Sequence, residues 1–161
     1  MFFKNKSYFI YPFLLLSLYI FPGAASGTED EPVKVLVDRT LSRFNALHYP
    51  ESEFSKIRKC EIQLSEDGFL RYRKTYINGK QEYYSFNLSR FVSMDYYGSI
   101  TSGELSINTE EDDVIVQTFN DRNGNVDSMA TYFRLPVHGI AAEDLNSIQA
   151  DLLEMKKHFQ L

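Results

Sequence analysis

The hydrophobic period of the chain changes twice. Val33, Leu36, Val37, Leu41, Phe44 and Leu47 recur at helical spacing. That spacing predicts one amphipathic helix over 33–47. Pro32 suits a helix start, and Tyr49-Pro50 ends the run because proline pushes its predecessor out of helical geometry. From residue 57 the period drops to two. Residues 57–64 read as a strand that places Cys60, Ile62 and Leu64 on one face. Asp67-Gly68 and Asn78-Gly79 mark tight hairpins flanking a strand over 69–77, and a third strand returns over 80–88. Val92, Met94 and Tyr96 alternate, as do Leu105 and Ile107. Val114 to Phe119 is dense in strand formers. Met129, Thr131, Phe133, Leu135 and Val137 share one face of a last strand. A helical stripe of Leu145, Ile148, Leu152, Met155 and Phe159 closes the chain over 141–159. The pattern predicts a single α+β domain: a meandering antiparallel sheet of six or seven strands between 57 and 137, with a helix at each end.

The N-terminus is set apart by a different logic. Lys4 and Lys6 precede an uncharged stretch from Tyr8 to Phe21, followed by the small residues Gly23-Ala24-Ala25-Ser26-Gly27. A positive start, an apolar middle and a small-residue end are the marks of a secretory signal peptide. The apolar stretch is short for a spanning helix, which needs about 20 residues. Residues 1–26 are therefore expected to be removed, leaving 27–161 as a secreted or periplasmic domain without stable membrane insertion. Removal takes two of the 17 bases and none of the 22 acids, so the formal charge moves from −5 to −7.

That charge argues against a nucleic-acid binder, which carries a basic footprint. A single cysteine excludes an internal disulfide framework. Cys60 reads as a small buried hydrophobe. His48, His138 and His158 lack partners at metal-motif spacing and read as helix-end or loop residues. No nucleophile elbow, phosphate loop or dinucleotide fingerprint occurs. No catalytic residue and no cofactor is assigned. Asp121, Asn123, Asn125 and Asp127 offer oxygen ligands at alternate positions, as calcium loops do. Glycine falls at the fourth position of that run instead of the sixth, and Tyr132 stands where a bidentate glutamate belongs. A plain turn explains the segment better.

Charge is unevenly distributed. Seven bases face three acids between Lys56 and Lys80, whereas seven acids face one base between Glu104 and Asp127. Two oppositely charged solvated faces, or a basic patch for an anionic partner, both fit. With Asn78 and Gly79 as a two-residue loop, Arg73 faces Tyr84, Arg71 faces Phe86, and Lys74 faces Tyr83. Arg71, Tyr72, Arg73, Lys74, Tyr76, Tyr83 and Tyr84 are then the candidate binding residues, because tyrosine and arginine anchor contact surfaces.

The two hairpins, the Tyr84-Ser85-Phe86-Asn87-Leu88 strand end and the Leu145-to-Phe159 stripe resemble the pleckstrin-homology superfold over residues 57–159. With its export signal, the arrangement is similar to small exported bacterial proteins. The resemblance implies a scaffold that binds lipids, peptides or proteins. Members that bind phosphoinositides use basic residues of the first hairpin, here Arg71, Arg73 and Lys74. An exported protein rarely meets those lipids, so that ligand is not carried over. The second architecture in play is a helix against a curved sheet around a pocket, or a small barrel. The expected function is an exported, non-catalytic binding domain for an envelope or extracellular protein, peptide or glycan. The alternatives are a carrier of a small apolar ligand and an unrecognised hydrolase or isomerase.

Overall fold

The computed structural model describes residues 32–49 and 56–160. The segment read as a signal peptide, the leader up to Glu31 and the helix-ending Pro50 lie outside the described residues. Helix α1 spans Val33–Leu47 and helix α2 spans Ala142–Phe159. Between them run β1 (Ile57–Leu64), β2 (Phe69–Tyr76), β3 (Gln81–Asn87), β4 (Phe91–Gly98), β5 (Ser102–Thr109), β6 (Val114–Phe119), β7 (Asp127–Ala130) and β8 (Tyr132–His138). All strand pairs are antiparallel, in a five-stranded sheet ordered β1-β2-β3-β6-β7 and a three-stranded sheet ordered β4-β5-β8. The α+β class and the two terminal helices match the sequence pattern. The strand count is eight instead of six or seven.

The register explains the extra strand. Ala130 of β7 pairs with Val114, and Tyr132 of β8 pairs with Asn108. Only Thr131 separates β7 from β8, and its carbonyl accepts the Thr109 N–H at 2.9 Å. So β7 and β8 are one long strand bent at Thr131, and β5 and β6 are its partner with residues 110–113 inserted. On the other side β3 pairs with β6 and β4 with β5. A 3-10 turn, Leu88–Arg90, divides them. Three consecutive long strands therefore cross from one sheet to the other. The topology is a strict meander folded along one line.

That line corrects two expected faces. Phe133, Leu135 and Val137 are buried, but Met129, beyond the bend, is 52% exposed. At the start of β4 an extra residue breaks the pairing between Phe91 and Ser93, which turns Val92 outward. Such a bulge shifts the alternation by one.

The inner faces of both sheets share one core with the helices. Phe133 of the smaller sheet lies 5.6–6.3 Å from the ring centroids of Tyr72, Tyr84 and Phe86 of the larger one. Each such buried side chain contributes roughly 1.5–3 kcal/mol. Helix α1 buries Leu36, Val37, Thr40 and Phe44, and α2 buries Ile148, Asp151, Leu152 and Met155. Asp151 is a charge on a helix face otherwise apolar. It accepts Arg39 through both oxygens (3.0 and 2.6 Å), Arg43 at 2.7 Å and Thr40 Oγ1 at 3.3 Å. This bidentate pair fixes α1 against α2.

Two variants test these contacts. Gly68 has φ +84°, and a Cβ there would lie 2.7 Å from the Phe159 ring, whereas Gly79 has φ +87° and open space. Gly68→Ala should cost about 2 kcal/mol and Gly79→Ala about 1 kcal/mol in chemical denaturation. Asp151→Ala removes the carboxylate shared by two guanidiniums, but both retain solvent contact. It should cost about 2–3 kcal/mol, below the usual value for a buried pair. Equal losses at the two glycines, or an unchanged Asp151→Ala midpoint, would contradict these roles.

Candidate binding site

The β2–β3 turn sets which residues meet. The Tyr76 N–H donates to the Lys80 carbonyl at 2.9 Å, and the Gly79 N–H to the Tyr76 carbonyl at 3.0 Å. The loop is thus Ile77-Asn78-Gly79, with Gly79 alone at positive φ. A two-residue loop would require positive φ at Asn78 as well. The three-residue loop moves the expected register by one. Arg73 pairs with Tyr83 instead of Tyr84, Arg71 with Ser85 instead of Phe86, and Lys74 with Glu82 instead of Tyr83. The seven candidate residues consequently divide between two faces. Arg71, Arg73 and Tyr83 point outward, and Tyr72, Lys74, Tyr76 and Tyr84 point inward.

No described element covers the outer face of the five-stranded sheet. One row of directly paired residues crosses all five strands: Glu61, Arg73, Tyr83, Gln117 and Asp127. Arg73 donates to Glu61 Oε2 from Nε at 2.7 Å and to the Tyr83 hydroxyl at 2.9 Å. Gln117 donates to Asp127 at 3.3 Å. Lys59 and Arg73 hold the Glu61 carboxyl below its ordinary range. Tyr83 meets Phe119 edge-on at 5.3 Å. Arg71 stacks 5.0 Å above the Phe69 ring and makes no ion pair within 4.0 Å among the described residues. A shallow depression of about 390 Å³ is lined by Gln81, Tyr83, Gln117, Phe119 and Asn120. A smaller one of about 70 Å³ lies among Glu61, Gln63, Arg71, Arg73 and Tyr83.

The inner face is chemically different. His48, at the end of α1, bonds the Tyr72 hydroxyl through Nε2 at 2.8 Å, and that hydroxyl lies 3.6 Å from Cys60 Sγ. Burial, then the hydrogen bond to Cys60, pushes the Tyr72 hydroxyl far above its usual range. Burial, with Lys74 and His138 nearby, lowers His48 to about 4. Lys74 lies over both the Tyr72 and Tyr84 rings, at 5.7 and 5.8 Å. Glu82 accepts Lys80 at 3.0 Å and the Tyr76 hydroxyl at 3.0 Å. Burial raises its pKa, yet these partners and Lys74 together hold it below the ordinary value. A cleft of about 500 Å³ opens where this face meets the bend, lined by Lys74, Tyr84, Glu104, Asp112, Val116, Ala130, Thr131, Tyr132, Arg134 and Pro136.

The oppositely charged segments meet at one ion pair, Lys80 with Asp121 at 2.9 Å. Several of the other charges find partners outside the opposite segment. Arg90 takes Glu110 and Asp113, and Arg134 takes Glu104. The Asp121–Asp127 run forms the β6–β7 tip. Its oxygens are turned to the chain itself: Asp121 accepts the Asn123 N–H at 3.0 Å, and Asn125 accepts the Asp121 N–H at 3.1 Å. Among the described residues no group of three or more His, Cys, Asp or Glu is placed to hold a metal. No helix of the described residues is long and apolar enough to cross a membrane.

Sequence reasoning missed the contribution of His48 to the inner cluster, and it missed Tyr132 and Arg134 in the cleft. Both depend on long-range placement. His48 reaches Tyr72 of the larger sheet from an isolated bridge to Val137 in β8 of the smaller one. Comparison with family models, with curated proteins and with solved structures returned no match to this chain.

His48 gives a pH signature. Its folded pKa lies below the unfolded value, so the unfolded chain binds the extra proton first. The stability tied to it is complete above about pH 6.5 and is lost as pH falls toward 4. Allowing for solvent screening at this partly exposed ring, the loss should be on the order of 1–2 kcal/mol. His48→Gln keeps a hydrogen-bonding group beside Tyr72 and removes the titration. Urea midpoints at several pH values should therefore fall less steeply in acid for the variant. Parallel curves for both proteins would contradict the assignment.

Proposed function

We propose that this is an exported, secreted or periplasmic, non-catalytic binding domain, and that its contact surface is the open outer face of the five-stranded sheet. The observation that carries the reading is the row from Glu61 to Asp127, with Arg71, Phe69 and Phe119 beside it, left uncovered by any described element. Tyrosine and arginine held rigidly on a sheet lose little entropy on binding and make strong anchors. Arg73 is already held by Glu61 and Tyr83, so it positions the tyrosine. Arg71, without an ion pair among the described residues, is the cation offered to a partner. The partner class is an envelope or extracellular protein, peptide or glycan. The expected export signal at residues 1–26 and the resemblance of the sequence pattern to the pleckstrin-homology superfold support the same reading.

Arg71→Glu combined with Phe119→Ser alters this face without touching the core. Captured from envelope extract at low and moderate salt, a salt-sensitive partner of the wild-type protein should be lost from the double variant. Its thermal melting should stay close to wild type, because exposed changes of this kind stay within about 0.5 kcal/mol. Undiminished capture by a folded double variant would remove the outer face from the proposal.

A further inference from the structure

We infer that the cleft at the bend of the sheet binds a small organic monocarboxylate, with the Lys74 ammonium as its anchor. This site lies on the opposite face of β2 from the proposed contact surface and does not depend on that reading.

The Lys74 ammonium makes no hydrogen bond among the described residues. The Lys74 side chain is only 19% exposed. It pairs with Glu82 Oε2 at 3.9 Å, beyond hydrogen-bond distance. Glu82 is already engaged by Lys80, the Tyr76 hydroxyl at 3.0 Å and the Tyr84 hydroxyl at 3.4 Å. The faces of Tyr72 and Tyr84 attract the ammonium but accept none of its hydrogens conventionally. An ammonium largely withdrawn from water is costly unless it is paired and hydrogen-bonded. Three donors thus remain for an acceptor arriving from the cleft that Lys74 lines.

The walls define the rest of the ligand. Tyr84, Val116, Ala130, Tyr132 and Pro136 supply apolar and aromatic surface. A volume of about 500 Å³ falls in the usual range for small-molecule sites. Arg134 lies over the Tyr132 ring at 5.0 Å and is 3.5 Å from Glu104, so those two charges offset each other. Asp112 is the remaining acid of the lining, and it has no ion pair within 4.0 Å among the described residues. One largely withdrawn cation beside apolar walls suits a single negative charge on an apolar body, and Asp112 in the same lining disfavours any further negative charge. A dianion such as a phosphate monoester meets Asp112 with its second charge and is disfavoured.

The test is a backbone NMR titration of the protein with 4-phenylbutyrate, its primary amide and 4-phenylbutylamine. The acid should shift the amides of Lys74, Tyr84, Val116 and Tyr132 saturably. The uncharged and cationic isosteres should bind about tenfold more weakly or worse, the scale of a lost charge-assisted hydrogen bond. Lys74→Met keeps the aliphatic stem and should weaken the acid by about the same factor. Lys59→Met, on the outer face, should leave the affinity unchanged. Ala130→Phe fills the cleft from β7 and should abolish saturation, which provides a second arm if Lys74→Met does not fold. Equal binding of acid and amine, an unchanged affinity in folded Lys74→Met, or no saturable shift up to the solubility of the acid would each overturn the inference.

Discussion

Everything in this fold depends on carrying three neighbouring strands across one line without stranding buried polar backbone. A sheet cannot bend sharply while its ladder stays intact, so residues must be inserted at the crease. Here the insertions are Leu88–Arg90 on one strand and residues 110–113 on the next, and they are sewn to each other. The Glu110 N–H donates to the Arg90 carbonyl at 3.1 Å, while Arg90 bonds Asp113 at 3.0 Å. Asn87 accepts the Ser89 N–H at 2.9 Å and thereby starts the 3-10 turn. Helix α2 completes the repair: Lys156 donates to the Phe91 carbonyl at 2.6 Å, and Gln160 to the Ser89 carbonyl at 3.0 Å. The cations in the last turns of α2 serve the crease as well as the helix dipole.

The crease also creates the chemistry. It brings Phe133 of the smaller sheet onto the tyrosine and phenylalanine layer of the larger one, and it brings Tyr132, Arg134 and Pro136 beside Lys74 in the cleft. Strand β2 therefore serves two environments at once. Its outward residues keep charge in water, where each pair is worth little and can be exchanged for a partner's groups. Its inward residues hold charge and hydroxyls away from water, where an unmet hydrogen bond is expensive. One residue of register separates the two roles.

Much of this arrangement was legible in the chain. The period-3.6 stripes located both helices, because the apolar faces of α1 and α2 pack against one side of the sheet. Alternation placed Ile62, Leu64, Phe133, Leu135 and Val137 inward. The errors cluster where backbone geometry departs from regular alternation. Asn78-Gly79 signals a hairpin, but the dipeptide alone does not set whether the loop holds two residues or three. Met129 and Phe133 have the same parity, yet the bend at Thr131 turns one of them outward. For the candidate site, residue types along β2 and β3 were readable, whereas their division between faces required the register. The cleft was not readable, since Lys74 and Arg134 are joined only by the crease.

The two helices carry a mechanical consequence. Lys34, at the start of α1, bonds Glu66 at 3.0 Å, and Phe159, at the end of α2, packs on Gly68 two residues further along. The chain thus passes into and out of the folded body beside the same turn, with α1 and α2 antiparallel. Tension applied between its ends would peel the helices apart from that pole, loading the contacts one after another. The Arg39–Asp151 clamp would be reached only after the terminal turns had opened. If the domain is attached to anything by both ends, it would behave as a compliant element, while the hairpin tips at the far pole stay unloaded until the helices have gone.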